Sequence, residues 1–162
     1  MNREIKFKGK SLKTGEWLYG DLIQDIPNKR CAIVPQKRVW QVVKYEVIPE
    51  SVGEYIGLKD KNGKEIYEGD ICIFDILNTL NRHPDINPYK KYLHVIEWKS
   101  SIWGFTPLYP ELQHEDDREW KSFCGDNGND NWDVNYFEVI GNIYENPELI
   151  IRRTINQNKE SE

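Results

Sequence analysis

Cysteine is scarce in this chain of 162 residues: Cys31, Cys72 and Cys124 are odd in number, widely spaced and form no CxxC pair. That pattern excludes a disulfide framework and argues against a zinc site. Cys31 and Cys72 each lie inside an apolar, strand-like run and read as small hydrophobes kept reduced. Alanine is nearly absent and methionine occurs once, which disfavours long helices. No hydrophobic run approaches the length needed to cross a bilayer, and the first ten residues, MNREIKFKGK, lack the apolar stretch of a signal peptide. The expectation is a protein of the cytoplasm with no membrane partner. Also missing are a nucleophile triad, a dinucleotide fingerprint and a phosphate loop. The KNGK of Lys61 to Lys64 lacks the spacing that lets successive amides cradle phosphate. These absences point to a protein that is not an enzyme and needs no cofactor.

What is present is aromatic and β-branched. Six Trp and nine Tyr suit a pleated, half-buried surface, so the fold class expected is mainly β, with antiparallel strands and few short helices. The stretch Val52 to Phe74, VGEYIGLKDKNGKEIYEGDICIF, carries the densest structural instruction. Asn62-Gly63 is a two-residue hairpin signal of the type I′ kind. Gly69-Asp70 follows as a glycine corner, and Ile71 to Phe74 is a buried strand. Hairpin, corner and strand in this order predict an SH3-like small barrel in the C-terminal part.

Ile5 to Leu22 reads as an earlier hairpin turning at Thr14-Gly15, and its Gly20-Asp21 echoes Gly69-Asp70, a faint sign of two similar β-modules. Arg30 to Val34 is a strand ended by Pro35, and Val39 to Ile48 is one ended by Pro49. Further on, 78–91 is a loop, Leu93 to Trp98 and Ile102 to Leu108 are strands, Glu111 to Lys121 holds a helical turn or two, and 125–131 is loop again. The last strand, Asn135 to Tyr144, turns Phe137, Val139 and Ile143 inward and is bulged at Gly141. Asn146-Pro147 then starts a short helical turn. The domain division falls near Pro49 to Gly53, giving a strand-rich segment 1–49, a barrel-like domain 50–151 and a frayed tail 152–162.

Charge changes sign at the same place. Residues 1–49 hold ten Lys/Arg against five Asp/Glu, and residues 50–162 hold twelve against twenty-two. Opposite halves favour head-to-tail association, while the basic half interleaves lysines with aromatics: Lys6, Lys8, Lys10, Trp17 and Tyr19, then Lys37, Arg38, Trp40, Lys44 and Tyr45. Single-strand binders use such a combination. Against it stand a net charge of −5 and a pI near 5.3, which oppose a polyanion.

Other chemistry is thinner. His83, His94 and His114 have no spacing that sets two imidazoles on one face, so exposed or capping histidines are the better account. In GDNGNDNWDVNYFE, Asn127, Asn129, Asn131 and Glu138 fall at positions one, three, five and twelve of a calcium loop. Position six, however, is Trp132 where glycine is needed, and turns built by Asx side chains fit better. Asp70 reads as an acceptor of backbone hydrogen bonds at its corner. No metal is expected.

The motifs IKFKGK with GEWLYGDLI, VIPESVGEYIGLKDKNGKEIYEGDI and FEVIGNIYENPELI resemble those of the YopX family of bacteriophage and prophage proteins. They span both ends and the middle, with Asn62, Gly63, Gly69, Asp70, Gly141 and Asn142 as the structural signature. The resemblance implies phage origin, a mostly β fold and a homo-oligomer, and brings no catalytic residue to transfer. The function expected is a non-enzymatic binding or assembly module that associates with itself or with a host or phage protein. The alternative is nucleic-acid binding through Lys37, Arg38, Trp40, Lys44 and Tyr45.

Overall fold

Alternating apolar and polar residues in the first sixty positions produce a meander of short antiparallel strands. The structure, a computed structural model, describes residues 4–35, 45–74, 92–108, 121–123 and 134–150. The chain divides into two compact units between Gly57 and Leu58. The first holds β1 (Phe7–Lys10), β2 (Trp17–Asp25), β3 (Arg30–Val34), β4 (Glu46–Val47) and most of β5 (Gly53–Lys59), in the sheet order β4-β3-β2-β1-β5. Ala32, Ile33, Val34, Val47 and Ile56 are buried in it. Ser51, in the helical turn Pro49–Ser51, donates its hydroxyl to the Ile48 carbonyl at 2.6 Å and accepts from the Lys10 N–H at 2.7 Å. The connection after β4 is thereby fastened to β1.

Strand β2 changes partner in mid-course. Trp17 to Gly20 pair with β1, and Asp21 to Asp25 pair with β3. Gly20 makes the change possible: a Cβ there would lie 2.1 Å from the Val34 carbonyl oxygen and 2.6 Å from its carbon, so the backbones meet where no side chain fits. The echo with Gly69-Asp70 is therefore only in sequence. Gly20 is a close approach inside a strand, whereas Gly69 is a turn residue at φ 78°.

In the second unit β6 (Glu65–Tyr67) follows β5, and the sheet of β7 (Asp70–Phe74), β8 (Tyr92–Lys99), β9 (Ile102–Pro107), β10 (Lys121–Ser122) and β11 (Phe137–Asn142) runs β10-β9-β8-β7-β11. One face carries an aromatic cluster in which Phe137 meets Phe105 at 5.0 Å and Phe74 at 5.1 Å between ring centroids. On the opposite face Ile71, Val95 and Leu108 are covered by Leu93 and by Leu149 and Ile150 of the helical turn 147–150. Ile143, expected to point inward, is 39% exposed, because the chain has left the strand at Asn142.

The mainly β class is what the chain forms, but the expected barrel is not: among the described residues the second sheet is open, ending at β10 and β11. The outer edge of β11 is occupied by a turn. Asp60 is 4% exposed; its Oδ1 accepts from Asn62 N at 2.8 Å and Lys64 N at 2.9 Å, and its Oδ2 accepts from Val139 N at 2.9 Å. Lys61 N donates to the Phe137 carbonyl at 2.9 Å and Lys64 Nζ to that of Val139 at 3.4 Å. Edge groups a closing strand would have used are thus satisfied by the turn, which keeps other strands away. The turn itself differs from expectation. Gly63 N returns to the Asp60 carbonyl at 2.9 Å and only Gly63 has positive φ, so this is a type I turn followed by a left-handed glycine.

Asp60→Asn keeps one acceptor but sets an amide NH2 against another N–H. We expect a loss of about 2–3 kcal/mol in chemical unfolding, since each bond to the carboxylate is charge-assisted and the bond from Val139 N is buried. Faster amide exchange at Val139 accompanies it. Unchanged stability would show that the carboxylate does not hold this edge.

Candidate functional site

Strand alternation places every second residue on one face, and this gathers the basic and aromatic residues of the first unit. Lys8 stands opposite Tyr19 and Lys10 opposite Trp17 across β1 and β2, while Tyr55 N bonds to the Lys6 carbonyl at 2.8 Å on the β5 side. Lys6, Lys8, Lys10, Trp17, Tyr19 and Tyr55 therefore share a face. The lysines do not stand free on it. The Lys6 ammonium lies 4.9 Å from the Tyr55 ring centroid, and the Lys8 ammonium 4.9 Å from that of Trp17. Lys8 is only 6% exposed, and Lys6 also pairs with Glu4 at 3.4 Å. Held on ring faces, these cations are part of the packing. Tyr19, at 50% exposure, is the accessible aromatic of the set.

Lys37, Arg38, Trp40 and Lys44 lie outside the described residues. Tyr45 is described and half-buried, just before β4. His83, His114, Cys124 and the Asx-rich loop are likewise outside, as are 78–91 and the acidic segment except Lys121, which opens β10. His94, expected to be exposed or capping, is instead 5% exposed and enclosed by the rings of Phe74, Phe105 and Phe137, because its strand position turns it toward the aromatic face. Among the described residues no three His, Cys, Asp or Glu side chains gather where they could hold a metal ion.

The signature residues serve the backbone. Asn62 and Gly63 form the turn that Asp60 organises. Gly69 N donates to the Ile96 carbonyl and its own carbonyl accepts from Ile143 N, both at 2.9 Å, so one residue links β8 to the chain leaving β11. Asp70 is 2% exposed and its Oδ2 accepts from Tyr67 N at 2.9 Å. Register shifts between Val139 and Gly141, and the Asn146 side-chain oxygen occupies the space a Cβ at Gly141 would need, 2.0 Å away. Asn142 Oδ1 accepts from Tyr144 N at 3.0 Å and Glu145 N at 2.9 Å, turning the chain toward the helical turn. Sequence reasoning passed over Asp60, although a carboxylate two residues before Asn-Gly is an Asx-turn signal.

Two antiparallel β-units in which Ser51, Asp60, Asp70 and Asn142 turn buried side chains onto backbone groups define a β-rich protein. The chain belongs to the YopX family: the family described as YopX protein matches residues 6–151. Among solved structures, the crystal structure of protein EF1440 from Enterococcus faecalis is similar at a TM-score of 0.50 and 23% identity, over 91% of this chain and 98% of that one. At that identity the likeness establishes the fold alone. No curated protein matches the chain. No helix among the described residues is long and apolar enough to cross a membrane.

Lys8→Met keeps the stem and removes the charge from the Trp17 ring. A loss of about 1 kcal/mol is expected in unfolding, with a change in Trp17 fluorescence. If both stay at their wild-type values, the ammonium makes no contribution to packing.

Proposed function

We propose that this protein is a non-enzymatic binding and assembly module, encoded by a phage or prophage and acting in the host bacterial cytoplasm, that associates with itself. Family membership supports the phage origin. The observation that supports the binding role is four large apolar side chains left in water on or beside one strand of the small first unit. Tyr19 and Ile23 lie on one face of β2 at 50% and 41% exposure, with Leu12 at 61% and Ile26 at 78% on the turns at either end of the strand. Single exposed apolar residues are ordinary on any surface, and four on or beside one strand, interrupted by Asp21, make the amphipathic surface of an interface with a polar component. Light scattering at micromolar concentration is expected to give a mass at least twice the 19.2 kDa of one chain. A sharp monomer mass removes self-association.

A second reading, nucleic-acid binding, draws on the alignment of lysines and rings on one face. Lys6 and Lys8 are engaged there, so the burden falls on Lys37, Arg38, Trp40 and Lys44. The reading predicts salt-dependent gel shifts with single-stranded oligonucleotides that Lys37→Glu with Arg38→Glu abolishes. No shift at low salt excludes it.

A further inference from the structure

The change of partner in β2 leaves half of a strand with one side unpaired among the described residues. β1 stops pairing at Gly20, and β2 runs on for five residues, Asp21 to Asp25, bonded to β3 alone. Among the described residues no strand lies along the other edge. The arm this makes is open to water: Asp21 and every residue from Ile23 to Arg30 are exposed, and only Leu22 is half-buried. Its tip is closed by Lys29 N bonding the Ile26 carbonyl at 3.2 Å and by Asn28 Nδ2 donating to Asp25 Oδ2 at 2.8 Å. A β-ribbon with an ordered tip and an unused row of backbone donors and acceptors is a template for strand addition.

Charge along that edge selects what can add. Asp21, Ile23 and Asp25 share one face, and their cross-strand neighbours are Val34, Ala32 and Arg30. Arg30 is taken by an ion pair with Glu46, so among the described residues neither aspartate has a basic side chain to itself. A second copy pairing antiparallel about Ile23 would set Asp21 against Asp25 twice, and like charges directly opposite each other repel. An extended segment with a basic residue, an apolar one and a basic one at alternate positions would meet Asp21, Ile23 and Asp25 in turn. It does so in either direction, because the acceptor pattern is symmetric.

Resting on the reading of the protein as a binding module, we propose that the free edge of β2 at Asp21 to Asp25 captures an extended peptide segment of a partner protein bearing two Lys or Arg residues that flank an aliphatic one. Backbone ladder bonds hold it, and the two aspartates choose it over acidic or neutral strands.

The test uses the full chain, isotope-labelled, titrated with a blocked peptide Thr-Lys-Thr-Ile-Thr-Lys-Thr while backbone amide signals are followed. Signals of residues 21–25 and of β3 should move together and saturate. A matched peptide with Glu for both Lys should bind about tenfold more weakly, and one with Pro for the central Ile, which cannot complete the ladder, should leave the spectrum unchanged. The double variant Asp21→Lys with Asp25→Lys, taken forward once its amide spectrum shows the arm still paired with β3, should exchange the preference between the Lys and Glu peptides, and the single variant Asp21→Lys, which leaves the Asn28 bond in place, should shift it in the same direction. Equal binding of the two peptides, signals moving elsewhere, or no exchange of preference overturns the proposal. Concentration-dependent protection of the 21–25 amides without peptide also overturns it, in favour of a second copy. The two readings fail separately: a monomer that takes the peptide loses self-association and keeps the arm, and an oligomer that ignores the peptide loses the arm alone.

Discussion

The carboxylate of Asp60 is where the second unit is fastened. One oxygen collects two amides of its own turn, and the other reaches an amide of β11, which lies 79 positions along the chain. A buried carboxylate costs a great deal to desolvate and is tolerated where N–H donors replace its water, as three do here. The consequence is topological. Because the turn uses the outer side of β11, that strand cannot recruit another there, and among the described residues the sheet ends at it as an open layer. β11 in turn holds β7 through five aligned pairs interrupted by one bulge, and β7 holds β8. The aromatic cluster of Phe74, Phe105 and Phe137 draws on β7, β9 and β11, so its geometry depends on the same edge.

Much of this was legible because strands advertise themselves with a period of two. Arg30 to Val34 and Leu93 to Trp98 were marked by β-branched residues and by the prolines or turns beside them, and the gathering of Lys6, Lys8, Lys10, Trp17 and Tyr19 on one face follows from spacing alone. Turn positions were legible and turn types less so. Asn62-Gly63 was found, but its expected I′ geometry ignored the acceptor at Asp60, which holds Asn62 in a negative φ. The hairpin of β8 and β9 does have positive φ at both central residues, Ser100 at 51° and Ser101 at 67°. Ser-Ser carries no such signal, because what imposes that conformation is the pairing of Lys99 with Ile102 on a well-packed ribbon.

The missing part of the site was burial. Spacing says that a lysine and a tryptophan share a face and is silent on whether the ammonium points to water or onto the ring. For Lys8 the second holds, which moves it from candidate ligand to packing element. The barrel expectation failed for a related reason. Hairpin, glycine corner and strand are local instructions shared by open and closed sheets, and closure is decided by which edge the turn at 60–64 covers, a contact with a strand more than seventy residues away.

Unit one shows the complementary solution to the edge problem. In the second unit a turn satisfies the exposed groups of β11 from within the chain. Along Asp21 to Asp25 nothing in the described chain does so, and the edge is defended by charge instead. Both devices prevent indiscriminate pairing, but they differ in what they leave possible: a covered edge is closed to every partner, whereas a charged edge is closed to strands of like charge and open to those of opposite sign. Gly20 is the residue on which this difference turns, since the backbone contact it permits with Val34 lets β2 leave β1 while still bonded to β3.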